Sequence, residues 1–140
     1  MSLATTASPT WADDADWVLV PSPQHLAHPR LLYIDRHSVS KWPPSVTAWF
    51  REVWKVPLEI DSATGLPVVE ERAYAQINCS TRKVTITDYQ RYGPSGRLLS
   101  SRDTGSREEA TPAVTSAMDR FTDVVCSSWS DPYDATRPHA

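Results

Sequence analysis

A chain of 140 residues with 40% hydrophobic and 9% aromatic content fits one globular domain built around a single core. Its formal net charge of −3 and pI near 5.7 argue against a dedicated nucleic-acid binder, which carries basic surface to displace phosphate counterions. No apolar run is long enough to form a bilayer-spanning helix, and twelve prolines favour short strands and turns over a helical bundle.

Residues 1–15 read as a disordered N-terminal segment. It is small and polar as far as Ala12, then acidic at Asp13 and Asp14, as around the cleavage point of a secretory leader. Thr10 and Ala12 would be the small residues at −3 and −1 of a signal-peptide remnant; a plain disordered tail is the other reading. "DWVLV" (16–20) reads as the first strand, ended by Pro21 and Pro23. In "RLLYIDRHSVSKW" a second strand, with its core at Leu31 to Ile34, is expected to end near Ser40. "SVTAWFREVWKV" (45–56) has apolar residues on both alternations, which predicts a central strand covered on both faces.

"DSATGLP" (61–67) is a turn cluster. After it, Ala73, Ala75, Ile77 and Cys79 alternate with Tyr74, Gln76 and Asn78, placing Cys79 on an apolar face. Val84 and Ile86 continue the pattern against Thr85 and Thr87, and a Gly-Pro-Ser-Gly turn leads into one more short strand. This spacing predicts an antiparallel meander. One helix follows in "EEATPAVTSAMDRFTDVVC", with Thr111 as N-cap, Pro112 at the first helical position and a stripe of Val114, Met118, Phe121 and Val125. The fold class is therefore α+β, with residues 16–126 as a single domain and 127–140 as a mobile tail.

Cys79 on the buried side of a strand and Cys126 at a helix end 47 residues on suit a disulfide that ties helix to sheet. Zinc would want more ligands at short spacing, and a catalytic thiol would want a cation or helix N-terminus rather than a helix C-terminus. Closing so long a loop stabilises by about 4 kcal/mol on the chain-entropy model and implies an oxidising compartment. His25, His28, Asp35 and His37 lie near each other in sequence, but Pro23 and Pro29 bracket the first pair, so surface histidines are expected rather than a metal site.

Neither a phosphate-binding loop nor a nucleophile elbow is present, and Glu70 and Glu71 should point to opposite faces of a strand. No catalytic constellation, metal or cofactor is expected. Trp17, Trp49 and Trp54 are read as core or sheet-face residues. Residues 80–107 carry six Lys or Arg against two acidic groups, and residues 108–140 carry two against six. Arg82, Lys83, Arg91, Arg97 and Arg102 of the basic block either form a solvated face paired with the acidic C-terminal segment or a patch for an anion or glycan.

From Asp16 to Cys126 the order of these pieces resembles the surface-adhesin protein E family of bacterial secreted or envelope proteins. "DWVLV", "YIDRHSV", "VTAWFREVW", "INCSTRKVTI", "YGPSGRLLSS" and "TPAVTSAMDRFTDVVC" carry the resemblance. It implies a six-stranded antiparallel sheet with the C-terminal helix tied across its face by a Cys79–Cys126 disulfide. It also implies a non-enzymatic secreted or periplasmic binding protein whose partner is a host matrix protein or another envelope protein, and a homodimer. A structural subunit of an envelope assembly is the alternative, and a small enzyme with an unrecognised site the third. No lipobox cysteine precedes the first strand.

Overall fold

A computed structural model describes residues 15–21, 30–57, 59–103, 109–113 and 116–127. Most of the expected N-terminal segment and C-terminal tail, with His25 and His28, lie outside the described residues.

The main sheet is an antiparallel meander. Its path runs β1 (Trp17–Val20), β2 (Arg30–Asp35), β4 (Ser45–Trp54), β7 (Glu70–Asn78), β8 (Lys83–Tyr92) and β9 (Leu98–Asp103), with the short β3 (Ser40–Trp42) beside β4. A two-stranded hairpin, β5 (Glu59–Ile60) with β6 (Pro67–Val68), closes at Asp61, whose carboxylate accepts from the Thr64 amide and hydroxyl. One helix, α1 (Ala117–Cys126), packs on the sheet.

The core forms where α1 meets the sheet. Leu32, Ile34, Val46, Ala48, Phe50, Ala75, Ile77 and Val84 point to the same side and bury against Ala117, Phe121 and Val125. The Phe50 and Phe121 rings lie 4.6 Å apart. Ala75 and Ala48 are paired across β4 and β7, and their small side chains leave room for the helix.

Cys79, just past β7, is bonded to Cys126 in the last turn of α1, with Cα atoms 5.4 Å apart. Arg82, in the left-handed region at φ 59°, adds a second tie by reaching Asp119 at 3.5 Å and Asp123 at 2.5 Å. Arg120 donates to the carbonyl of Pro21 at 2.7 Å, fixing the helix to the end of β1.

Three expectations are corrected. The second strand ends at Asp35 rather than near Ser40, because the Asp35 carboxylate accepts the amides of Asp16 and His37 and starts a turn of 3₁₀ helix over Arg36–Ser38. The helix begins at Ala117, capped by Ser116, rather than at Pro112. Residues 111–113 are not helical, and just before them Ala110 exchanges both backbone hydrogen bonds with Val84 at the margin of the sheet. β4 carries α1 on one face only, and its other face is half-buried by its own neighbours rather than by a second layer.

Candidate binding face

The register of the sheet assigns every strand residue to one of two faces. Opposite the helix lie Trp17, Tyr33, Trp42, Trp49, Tyr74 and Tyr92, joined by Arg51, Arg72, Glu70 and Gln90. Six of the chain's thirteen Trp, Tyr and Phe residues thus share the face that α1 leaves open.

At the centre of this face the residues form a ladder across the strands. The Arg51 guanidinium lies 5.0 Å from the Tyr33 ring and 5.6 Å from Trp17, and that of Arg72 lies 5.3 Å from Trp17 and 4.5 Å from Tyr92. Each guanidinium is within cation–π range of two rings. Trp17 belongs to the edge strand, so its indole reaches over β2 to meet both arginines. Glu70, itself buried, accepts from Arg51 Nη2 at 3.0 Å and from Arg72 Nε at 2.6 Å. Toward the other end of β4 the Trp49 and Tyr74 rings pack at 5.4 Å, and Trp42 stands 75% exposed in the strand before the Pro43-Pro44 turn, its indole N–H donating to Ser40.

A bulge in β8 makes the ladder. Ala75 pairs with Ile86 but Tyr74 pairs with Asp88, so Thr87 is the extra residue. Beyond it the alternation reverses, turning Tyr92 toward Arg72 and Tyr89 toward the helix side. Burial pushes the Tyr92 hydroxyl pKa up.

The helix side carries charge of its own. Glu52 and Glu71 are direct cross-strand partners there. Burial raises the Glu52 pKa to about 7, against an attraction to Arg30, 3.5 Å away, and with repulsion from Glu71. Burial also raises the pKa of Glu71, which receives a hydrogen bond from the Tyr89 hydroxyl, and the same contact and burial drive Tyr89 far up. Beside them a cleft of about 20 Å³, bounded by Met118 and Phe121 of α1, holds roughly one water, far below the roughly 300 Å³ of a small-molecule site.

The five basic positions from the sequence are spread over the molecule. Arg82 is paired with α1, and Arg91 with Glu59 and with Glu71 at 3.3 Å. Arg102 lies opposite Tyr89 in the register, on the helix side. Lys83 is exposed at the start of β8, and Arg97 is exposed in the turn at its far end. His37 is exposed, 3.8 Å from Asp16, and no group of three potential metal ligands occurs among the described residues. Glu70 and Glu71 do point to opposite faces, while Trp17 and Trp49 sit on the open face and Trp54 on the helix side.

Tyr33, Arg51, Arg72 and Tyr92 carry no assignment from the sequence, and Glu70 was read there only as one of two adjacent acids. A signal existed in part: Trp49 and Arg51, and Glu70, Arg72 and Tyr74, are spaced by two residues opposite the apolar alternation of the same strands.

The fold is thus an antiparallel sheet with a disulfide-tied helix on one face and an aromatic, arginine-bearing stripe on the other. Residues 17–127 match the family model of surface-adhesin protein E, and the chain belongs to that family. Among solved structures, crystal form II of Haemophilus influenzae protein E is similar at 15% identity and a TM-score of 0.50, covering 82% of this chain and 98% of that one. Protein E from non-typeable Haemophilus influenzae matches at 12% identity and a TM-score of 0.46, covering 91% of this chain and 83% of that one. Comparison with curated proteins gives no match. Surface adhesins of this family are secreted or cell-surface proteins, in keeping with an oxidised cysteine pair.

Proposed function

We propose that this chain is a non-enzymatic binding protein of the bacterial cell envelope or its secreted fraction, and that it docks a protein partner through the open face of its sheet. The observation that carries this reading is the gathering of Trp17, Tyr33, Trp42, Trp49, Tyr74 and Tyr92 with Arg51 and Arg72 on the one face without a helix. Trp, Tyr and Arg are the residues in which binding energy concentrates at protein interfaces, because they combine large contact area with a polar edge. The disulfide and the arginine ladder keep that surface ordered before it meets a partner, which lowers the entropy lost on binding.

The test is affinity capture from host extracellular matrix and, separately, from bacterial envelope extracts, with wild type beside Trp42→Ala. Trp42 is exposed, so its loss should leave the fold intact. Capture of a matrix protein that falls with Trp42→Ala supports an adhesin. A stoichiometric bacterial partner lost in the same variant points instead to an envelope assembly, and capture indifferent to the open face overturns the reading.

A further inference from the structure

We infer that the guanidinium of Arg72, framed by Trp17 and Tyr92, is where the open face receives a carboxylate side chain from an extended acidic segment of its protein partner; this rests on the open face being the docking surface. Arg51 and Arg72 are direct cross-strand neighbours, and one carboxylate, Glu70, serves both. The cluster therefore carries one positive charge in excess in a half-buried, ring-lined setting, where a charge without a counter-ion is costly.

The other carboxylates of this face do not supply the missing partner. Asp35 is occupied by the amides of Asp16 and His37, and Asp88, level with Tyr74, makes no ion pair with either guanidinium among the described residues. Hydrogen bonding gives the same answer. Glu70 takes Nη2 of Arg51 but only Nε of Arg72, so among the described residues the two terminal amino groups of Arg72 have no acceptor. The Trp17 and Tyr92 rings both lie within cation–π range of the Arg72 guanidinium, and a guanidinium engaged through its faces keeps its planar edge for an in-plane bidentate acceptor. A carboxylate meets that requirement, and Glu70 already shows that this frame accepts one.

Aromatic and guanidinium positions adjoin along β4 and β7, at Trp49 and Arg51 and at Tyr74 and Arg72. A polypeptide with an acidic residue at every second position presents its carboxylates on one side at the same spacing.

The probes are a short labelled peptide of alternating Glu and Thr, its Gln-for-Glu twin, and polygalacturonate as a carbohydrate source of the same carboxylates. The Glu peptide should bind the intact protein with an affinity that falls as salt rises, and the Gln twin should bind roughly tenfold more weakly or worse. Arg72→Gln should weaken the Glu peptide by roughly tenfold, with partial recovery in Arg72→Lys. Glu70→Gln, which vacates a second carboxylate position and leaves Arg72 in its frame, should tighten binding severalfold.

Thermal unfolding of each variant accompanies the titrations. Should Arg72→Gln fail to fold, the Glu70→Gln arm and the salt dependence decide. Absence of Glu-peptide binding, indifference to Arg72→Gln in a folded variant, or binding of polygalacturonate without the peptide would each overturn the inference. Capture of a natural partner that needs Trp42 but not Arg72 would sink this inference and leave the docking face standing.

Discussion

Arg51 and Arg72 face each other across β4 and β7, with the indole of Trp17 within 5.6 Å of one guanidinium and 5.3 Å of the other. Like charges directly opposite in a sheet repel. Here Glu70 bridges the pair, and Tyr33, Trp17 and Tyr92 offer their ring faces, so an unfavourable pair becomes the centre of a ladder spanning five strands. The same contacts hold β1, only four residues long, to the body of the sheet.

That coupling makes Trp17 a structural residue as well as part of the open face. Trp17→Ala should destabilise by about 2 kcal/mol, from lost burial and two cation–π contacts, and should free the amides of Val18 and Val20 to exchange faster. Urea denaturation with hydrogen exchange checks this. A loss below about 0.5 kcal/mol, as for a simple surface site, would refute the ladder as a clamp.

Thr87 is the extra residue of the β8 bulge. Deleting Thr87 should make Ile86 and Asp88 consecutive opposite Ala75 and Tyr74, giving a regular ladder that keeps Tyr89 on the helix side and Tyr92 beside Arg72. The expected result is a folded variant whose near-ultraviolet tyrosine signal matches wild type, at a cost of about 1 kcal/mol, as for a typical substitution. A folded variant with a changed tyrosine signal would show that Thr87 does more than occupy the bulge.

Stability should depend on pH in a direction set by Glu52. Its folded pKa of about 7 lies above the unfolded value of 4.5, so the native state binds the extra proton between those values. Stability is then greatest at the acidic end of that window and falls as pH rises through it, by up to about 3 kcal/mol, with Glu71 shifted in the same direction. Denaturation midpoints from pH 5 to pH 8 should decline in wild type and flatten in Glu52→Gln. A rise over this range would contradict the buried pair.

The disulfide should account for much of the domain's stability. Replacing Cys79 and Cys126 by serine should cost about 4 kcal/mol, the chain-entropy value for a 47-residue separation. Equilibrium denaturation of the double variant measures it. Equal stability with and without the bond would mean that the core and the Arg82 contacts hold α1 unaided.

The meander and the cysteine pair were legible because each rests on local alternation: Ala73, Ala75, Ile77 and Cys79 keep one phase, and Cys126 ends the only helix described. The ladder was not legible, for two physical reasons. The bulge at Thr87 inverts the phase of β8, so counting from Val84 and Ile86 assigns Tyr89 and Tyr92 to the wrong faces. Trp17 also meets Arg51 and Arg72 by reaching across β2, and contacts beyond the nearest strand leave no spacing in the sequence. The start of α1 was misread because Thr111 and Pro112 have sound capping chemistry, which the pairing of Ala110 with Val84 overrides.

The most direct measurement of the central claim is the affinity of a captured partner for three folded proteins: wild type, Trp42→Ala on the open face, and Arg97→Ala in the exposed turn at the opposite end of the sheet. Trp42→Ala should weaken binding roughly tenfold or more while Arg97→Ala stays within about twofold of wild type. Equal affinity for wild type and Trp42→Ala, with a loss in Arg97→Ala, would contradict that claim.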